Sequence, residues 1–226
     1  MDTSACLAGL SERGFALSGR LLDETQCADL KRAYADAARF RKRIVMARHG
    51  YGQGEYQYFD YPLPPLVAEL RERWYPPLAE VANEWASRLR GEVLYPAALT
   101  DYLERCHEAG QTRPTPLLLK YGVGDYNCLH QDLYGELVFP LQMTILLSDP
   151  DTEFAGGDFV LVEQRPRMQS RAHVLRPKRG EAVVFAVNEF PRLGARGYHR
   201  VRMRHGVSEL ARGERYTLGV IFHDAA

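Results

Sequence analysis

Residues 117–132 read LLLKYGVGDYNCLHQD, and this stretch decides the fold. Its outer parts, 117–121 and 126–131, have the length of single strands, and Gly122 and Gly124 separate them. Short runs divided by glycine-rich turns are typical of neighbouring strands in an antiparallel sheet. The stretch therefore predicts two strands joined by a tight connection.

The same pattern continues from this stretch to the end of the chain. Further strands are predicted at 137–147, 158–163, 172–175, 181–187, 198–207 and 215–223. Glycine and proline clusters mark the turns between these strands. A series of short strands of this kind favours a jelly roll, a double-stranded β-helix in which two antiparallel sheets pack face to face.

The first half of the chain has a mainly helical periodicity. A predicted strand at 14–22 is followed by a predicted helix at 24–38, whose start carries Asp23 and Gln26 at the spacing of a capping box. Another helix is predicted at 97–109, and Gly110 is expected to end it.

The segment 65–90 has the same helical spacing, but Pro76 and Pro77 interrupt it. Proline lacks the backbone N–H of an interior helical residue, so we expect two helices there. The whole pattern predicts an N-terminal helical layer over residues 1–112, packed on a jelly-roll core over residues 113–226. The predicted fold class is α+β with a mostly β core.

The composition is that of an ordinary globular protein, since 46% of the 226 residues are hydrophobic and 26% are charged. This excludes a disordered or collagen-like chain. Basic and acidic residues both number 29, so the total charge gives no support to an overall electrostatic nucleic-acid binder. The segment 163–204 nevertheless holds eleven Arg or Lys against three Glu. That excess fits an anionic partner or a solvated strand surface.

The cysteines and the apolar runs bear on the compartment. The four cysteines are scattered and form no CxxC pair. The first ten residues lack the basic start and apolar run of a signal peptide, and no apolar stretch is long enough for a membrane span. We therefore expect reduced thiols, a cytoplasmic protein and no membrane partner.

The triplet His130-Gln131-Asp132 carries the first sign of chemistry. Residues two apart on a strand point to the same side, so the imidazole of His130 and the carboxylate of Asp132 would converge. One His and one Asp make two-thirds of the facial triad that binds non-haem Fe(II). The triplet alone is a weak signal, because such a pair also occurs on ordinary surfaces.

A third ligand has to come from another strand, and His205 is the first candidate. The segment 205–217 is predicted to form a hairpin, which brings Arg215 or Thr217 beside His205 depending on where it turns. A guanidinium fork and a hydroxyl suit a carboxylate ligand. His199 is the rival third ligand, although it has no such residue within hairpin reach.

At this point the chain resembles the 2-oxoglutarate- and Fe(II)-dependent oxygenases, with a prolyl-4-hydroxylase-like pattern. The matching motifs are YGVGDY at 121–126, FAGGDF at 154–159, GEAVVF at 180–185, HGV at 205–207 and GER at 213–215. The ten-residue step from His205 to Arg215 is the family's usual step from the distal metal ligand to the basic residue that binds the co-substrate.

The resemblance implies a dioxygenase that uses Fe(II), 2-oxoglutarate and O2, hydroxylates its substrate and releases succinate and CO2. The residues carried over are, for metal and catalysis, His130, Asp132 and His205 and, for 2-oxoglutarate, Arg215, Thr217 and Tyr121. The protein's own part in such chemistry is orientation, electrostatics and exclusion of water.

The stretches 45–65, 112–150 and 163–170 are similar to one bacterial branch of the superfamily. By analogy with the AlkB-type repair enzymes, that branch is labelled with oxidative demethylation of damaged DNA. Those enzymes place their arginines further beyond the distal histidine than Arg215 lies. The prime substrate therefore stays open between alkylated nucleic acid, a protein or peptide side chain, and a small molecule. The alternative outside enzymes is a metal-binding jelly-roll module, and no obligate protein partner is evident.

Three weaker features have two interpretations each. The tyrosine-rich segment 48–61 would be a lid whose rings stack on a base, or a loop that pins the helical layer to the barrel. The basic segment 164–179 would meet phosphates, or would protect a strand edge. Cys128 would be a metal ligand or, as we expect, a small buried hydrophobe beside His130.

Overall fold

The computed structural model describes residues 3–91, 94–133, 135–165 and 167–226. Its helices are α1 (Thr3–Arg13), α2 (Glu24–Ala33), α3 (Pro65–Arg88) and α4 (Leu99–Glu108), with short 3-10 helices at Ala37–Arg39 and Met46–His49. Its strands are β1 (Phe15–Arg20), β2 (Phe40–Val45), β3 (Gly52–Gln53), β4 (Glu55–Phe59), β5 (Leu117–Tyr121), β6 (Tyr126–His130), β7 (Leu141–Leu146), β8 (Phe154–Gly156), β9 (Phe159–Gln164), β10 (Arg171–Leu175), β11 (Glu181–Ala186), β12 (Glu189–Gly194), β13 (Gly197–Val207), β14 (Leu210–Gly213) and β15 (Arg215–Val220).

Two antiparallel sheets face each other and form the barrel. The larger sheet has the strand order β1-β11-β7-β15-β5-β4-β2, and the smaller one has the order β10-β9-β13-β6-β3, with β12 also paired to β13. This is the predicted jelly roll with a mostly β core and helices at the N-terminus, and the prediction is confirmed.

The N-terminal part of the chain contributes strands as well as helices. The predicted strand at 14–22 is confirmed as β1, which pairs with β11 through partners such as Leu17 and Val183. On the other side of the same sheet, β4 pairs with β5, for example Tyr56 with Leu119. The division into a helical layer and a barrel core at residue 113 stays a prediction.

The interruption predicted in α3 is wrong, since Pro65–Arg88 forms one helix with Pro76 and Pro77 inside it. Pro76 lies on the solvent side, where water can satisfy the carbonyl groups that the prolines leave free. Trp74 and Leu78 are buried on the opposite side, and their packing against the core favours a continuous helix.

The main hydrophobic core lies between the helices and the larger sheet. The ring of Tyr75 on α3 lies 5.1 Å from that of Phe139, which in turn lies 5.4 Å from that of Phe222, centroid to centroid. All three side chains are fully buried, together with Leu118 and Leu218 from the outer face of the sheet. Burial of this apolar surface fixes the helical side of the barrel and leaves the inner face of the sheet free to carry a site.

A buried ion pair fastens the C-terminus to α3. The guanidinium of Arg71 donates to Oδ1 of Asp224 at 2.7 Å, and the hydroxyl of Tyr61 donates to Oδ2 at 2.8 Å. Nε2 of His107 lies 2.9 Å from the same Oδ2. Burial raises the pKa of Asp224, but Arg71 and His107 outweigh this and hold the pKa below its ordinary value.

The predicted hairpin from His205 to Thr217 is wrong. Its two arms are in opposite sheets, since β13 belongs to the smaller sheet and β15 to the larger one. Between them lies β14, which pairs with β8 instead of folding back on β13. Gly213 ends β14 with a φ of 78°, a conformation that favours glycine. The chain therefore crosses from one sheet to the other between His205 and Arg215.

None of the helices in the described part of the chain combines the length and the apolarity that crossing a bilayer requires.

Candidate active site

The structure brings His130, Asp132 and His205 together. His130 ends β6 directly opposite His205 on β13, so the two imidazole rings have centroids 4.1 Å apart. Asp132 follows two residues after His130, and its Oδ1 and Oδ2 lie 3.3 Å from Nε2 of His130 and of His205 respectively. One nitrogen or oxygen atom from each side chain lies within 4.8 Å of the others. These three donors converge on one point at the end of the smaller sheet.

Two hydrogen bonds orient this cluster. Nδ1 of His130 lies 2.7 Å from the carbonyl oxygen of Cys128. A carbonyl can only accept, so Nδ1 carries a proton, and Nε2 is the ring atom that faces Asp132 and is available to a metal. On the other side, the amide of Gln142 donates to Oδ2 of Asp132 at 2.7 Å. Outer hydrogen bonds of this kind are typical of metal-ligating side chains.

The third donor, His205, lies against aromatic rings. Its ring centroid is 4.7 Å from that of Phe185 and 5.9 Å from that of Phe159. Burial in this apolar setting lowers its pKa, so the imidazole is neutral near pH 7. A neutral imidazole is the form that binds a metal.

Asp132 supplies the negative charge of the cluster. Burial raises the pKa of this carboxyl, but the charges and hydrogen bonds of His205 and His130 outweigh burial and hold the pKa well below its ordinary value. Two imidazoles and one carboxylate are the donor set of the facial triad, which suits non-haem Fe(II) and leaves other coordination positions open. The donor chemistry of this cluster therefore fits iron.

Arg215 lies on the facing sheet, opposite Tyr121 in the ladder between β15 and β5. Its guanidinium carbon is 5.6 Å from the Tyr121 ring centroid. The side chain of Arg215 is 2% exposed, yet its Nε and Nη1 have no hydrogen-bond partner among the described residues. Thr217 follows two residues later on the same face and is also buried. A buried cation without an anion is costly, so this arrangement fits an acidic ligand such as the far carboxylate of 2-oxoglutarate.

Burial dominates the protonation of this second cluster. It lowers the pKa of the Arg215 guanidinium, and it raises the pKa of the Tyr121 hydroxyl to about 12. Tyr121 is therefore a neutral hydroxyl at physiological pH, able to donate a hydrogen bond to a carboxylate.

One cavity of about 350 Å³ connects the two clusters. Tyr51, Cys128 and Leu129 line it beside His130. Away from the triad, the wall is mostly uncharged, and it belongs partly to a small hydrophobic cluster separate from the main core. The residues of that uncharged wall include Tyr56, Leu117, Leu119, Thr144, Gly219 and Ile221. Among the described residues, Arg215 is the one Arg or Lys that lines the cavity.

Two expectations from the sequence concern His199 and Cys128. His199 pairs with Arg192 in the β12–β13 hairpin and lies outside the donor cluster. The expectation that Cys128 is buried is wrong, since its side chain is exposed. Cys128 is two residues before His130 on β6 and lines the same cavity.

The tyrosine-rich segment 48–61 contributes β3 and β4 to the two sheets instead of forming a loop, and its role as a lid stays a prediction. Tyr58 and Phe59 are buried, and Tyr56 and Tyr58 form the wall beside Leu117 and Leu119. Tyr51, by contrast, is half exposed and lines the cavity beside the smaller sheet. Its ring stacks on that of His49, and the two ring centroids are 5.3 Å apart. The segment thus pins part of the barrel and also places one exposed ring at the cavity.

Sequence reasoning missed Gln142, which holds Asp132. The signal was present, because Gln142 is the one amide in the apolar run 141–147. A buried polar side chain inside such a strand needs a partner, and here the partner is a candidate metal ligand. Gln131, the middle residue of the triplet, also has a role, since its amide donates to Asn188 Oδ1 at 2.6 Å and to the carbonyl of Met203 at 2.8 Å.

A protein-family model described as "Oxygenase, catalysing oxidative methylation of damaged DNA" (Oxygenase-NA) matches residues 54–225. The chain is also 50% identical over 168 residues to uncharacterized proteins of two Mycobacterium tuberculosis strains, CDC 1551 / Oshkosh and ATCC 25618 / H37Rv. Those matches cover 74% of this chain and 72% of each relative.

Solved structures with a similar fold share little sequence. A prolyl hydroxylase from Trichoplax adhaerens, in complex with a hypoxia inducible factor peptide fragment, superposes with a TM-score of 0.59 at 13% identity, covering 96% of this chain and 86% of that one. An oxidoreductase of the 2OG-Fe(II) oxygenase family from Burkholderia pseudomallei gives a TM-score of 0.54 at 16% identity, covering 99% and 92%. At these identities the similarity concerns the fold.

Proposed function

The chain belongs to the Oxygenase-NA family of 2-oxoglutarate- and Fe(II)-dependent dioxygenases, and we propose that it oxidises N-methyl groups on damaged DNA. One cavity carries this proposal. It joins the three donors of a facial triad to a buried arginine whose Nε and Nη1 have no partner among the described residues, and to a mostly uncharged wall.

His130, Asp132 and His205 would hold Fe(II). Bound there, Fe(II) supplies the activation of O2 that oxidises 2-oxoglutarate to succinate and CO2 and leaves one oxygen atom for a substrate C–H bond. The support for this assignment is the donor set and its orientation by Cys128 and Gln142. The enzyme class itself uses Fe(II), 2-oxoglutarate and O2.

Arg215, Thr217 and Tyr121 would bind the far carboxylate of 2-oxoglutarate. Arg215 would form charge-assisted hydrogen bonds through the nitrogen atoms that have no partner in the described structure. Thr217 shares the strand face of Arg215, and Tyr121 lies opposite it. All three side chains are buried, so the co-substrate would fill the deep end and keep water away from it.

The chamber beside the triad supports a neutral reacting group. Once Arg215 is paired with 2-oxoglutarate, no other Arg or Lys among the described cavity residues would neutralise an acidic metabolite. A methylated base brings a flat ring that apolar and aromatic walls can hold. Hydroxylation of its N–CH3 group gives N–CH2OH, which breaks down to N–H and formaldehyde. The description of the family names oxidative methylation, whereas the hydroxylation of an N–CH3 group removes the methyl group.

A decisive experiment has two stages. Anaerobic addition of Fe(II) and 2-oxoglutarate to the apo-protein should give a charge-transfer absorption band that Asp132→Ala and His205→Ala lose and His199→Ala keeps. A well-folded wild-type protein without the band would contradict the oxygenase assignment and favour a metal-binding module.

The second stage tests the substrate. An N-methylated single-stranded oligodeoxynucleotide should yield formaldehyde and succinate in equal amounts. A different result would be succinate formation that a peptide or a small molecule stimulates and that no methylated oligonucleotide stimulates. That result would assign the chain to the protein hydroxylases or to the enzymes that act on metabolites.

A further inference from the structure

The outer face of β13 carries a row of exposed side chains beside the site. Tyr198, Arg200, Arg202 and Arg204 alternate with residues that point inward and end at the buried His205. Alternate residues on a strand lie about 7 Å apart, so three cations follow one another at nearly equal steps. We call Arg200, Arg202 and Arg204 the arginine row.

The row begins beside the candidate iron site along the strand, since Arg204 directly precedes His205, with its side chain on the opposite face of β13. The pairing of β6 with β13 ends at His130 opposite His205, and β13 continues beyond this point with β12 and β9 as its neighbours. Gln131 ties the two regions together, because its amide binds the carbonyl of Met203, the residue before Arg204. The arginine row therefore leads outward from the triad along the surface.

The row has an excess of positive charge. Arg200 and Arg202 share a single acid, Glu189, at 2.8 Å and 3.5 Å. Arg204 has no carboxylate partner within the described residues. The basic residues at the opposite end of the smaller sheet differ, since Arg176 makes two hydrogen bonds of 2.9 Å and 3.0 Å to its own acid, Asp158. Arg204 is thus the least compensated cation of the row, and it is also the one adjacent to His205 in the chain.

A buried carboxylate holds two more arginines on the inner face of the smaller sheet, behind the row, since Glu163 is paired with the inward-facing Met203. Glu163, on the strand beside β13, is 2% exposed and accepts hydrogen bonds from Arg165 and from Arg192, the latter at 2.6 Å. Burial raises the pKa of Glu163, but Arg165, His173 and Arg192 outweigh burial and lower it. Glu163 is therefore ionised and fixes both arginines on that inner face, so the row itself consists of Arg200, Arg202 and Arg204.

We propose that the arginine row, with Tyr198 at its far end, binds the phosphates of a single nucleic-acid strand whose methylated base enters the cavity. This inference rests on the proposed function. Equal steps of positive charge along an extended strand suit a polymer with one negative charge per unit. A single strand is favoured because the cavity admits a base only after it has left its stack. Tyr198 offers an exposed ring on which a neighbouring base can stack.

The test compares charge-matched variants in the binding of a fluorescein-labelled, N-methylated single-stranded oligodeoxynucleotide, followed by anisotropy at several salt concentrations. One variant combines Arg200→Gln, Arg202→Gln and Arg204→Gln. Its control combines Arg20→Gln, Arg176→Gln and Lys178→Gln, which removes three exposed cations from the end of β1 in the larger sheet and from the segment after β10. Thermal unfolding establishes that both variants are folded.

We expect the row variant to bind on the order of tenfold more weakly than the wild type. The slope of log K against log salt concentration should be shallower by about 2, since a single strand releases about 0.7 counterions per phosphate contact. The control should bind like the wild type. Equal binding by the row variant and the wild type would overturn the inference, while formaldehyde release from the same oligonucleotide would leave the proposed function standing. If the wild-type protein binds a polyglutamate peptide but no oligonucleotide, both the nucleic-acid assignment of the row and the proposed substrate are overturned.

Discussion

The side-chain amide of Gln142 donates a hydrogen bond of 2.7 Å to Oδ2 of Asp132, although the two residues come from opposite sheets of the barrel. Gln142 lies on β7 of the larger sheet, whereas Asp132 directly follows the smaller sheet's β6. The bond restrains the rotation of the carboxylate and directs its oxygen atoms toward the two histidines. The geometry of the donor cluster therefore depends on how the sheets are spaced.

Replacing Gln142 by Met should weaken metal binding without unfolding the protein. Loss of an outer-shell hydrogen bond of this kind lowers metal affinity by about 10- to 100-fold. Anaerobic titration with Fe(II) measures the change. Gln57→Met is the matched control, because the buried amide of Gln57 donates to the carbonyl of Tyr34, away from the cavity. Equal affinities in the two variants would exclude a positioning role for Gln142.

Arg215→Lys should raise the dissociation constant for 2-oxoglutarate by about 10-fold or more, because an ammonium cannot reproduce the paired hydrogen bonds of a guanidinium. Arg215→Met should abolish co-substrate binding yet leave the ligand-free protein at least as stable, since it removes a buried and unpaired charge. Calorimetric titration and thermal unfolding measure these effects. Lys120→Met, one position away from Tyr121 and facing outward, is the control and should change neither.

The stability of the fold should fall in acid through Asp224. Its pKa is lowered in the folded protein, so the carboxylate stabilises the fold above the unfolded value of about 4, and this stability is lost as the pH falls through the folded pKa. Asp224→Asn should lose about 3 kcal/mol at neutral pH, because Arg71 stays buried without its counterion. Its unfolding free energy should then vary less below pH 4 than that of the wild type, as measured by urea unfolding. Parallel curves for the two proteins would contradict the role of this pair.

Gly213→Ala should be far more destabilising than a typical surface substitution. A Cβ at this position would lie 1.9 Å from the carbonyl oxygen of Glu153, in addition to the strain of a φ of 78°. Gly110→Ala isolates the strain alone, because Gly110 has a φ of 80° and nothing within 4 Å of an added Cβ. We expect about 1–2 kcal/mol for Gly110→Ala and about 1–3 kcal/mol more for Gly213→Ala, measured by urea unfolding. Similar losses in both variants would mean that the chain can move away from Glu153.

Local patterns in the sequence account for much of the fold. His130 and Asp132 lie together as their spacing predicted, although Asp132 comes after the end of β6, and the capping box predicted at Asp23 and Gln26 is present at the start of α2. These features depend on neighbouring residues alone. The fold class is also predictable, because the short strands and their turns are visible in the second half of the chain.

What could not be predicted depends on distant parts of the chain. The crossing between His205 and Arg215 depends on the pairing of β14 with β8, which lies more than 50 residues earlier in the sequence. The continuity of α3 through Pro76 depends on packing against the core. The hydrogen bond from Gln142 depends on the distance between two sheets. The metal and co-substrate roles of the named residues stay predictions until binding is measured.

The position of β15 has a consequence for biosynthesis. This strand, which is near the C-terminus, lies at the centre of the larger sheet, between β7 and β5. Until it leaves the ribosome, β7 and β5 cannot be joined, and both keep unpaired edges. Most of the pairings it makes are also distant in sequence, so folding should be slow. Because β15 carries Arg215 and Thr217, the nascent chain acquires its proposed co-substrate pocket in the same event that closes the sheet. A premature stop codon before β15 would remove both the pocket and the closed sheet.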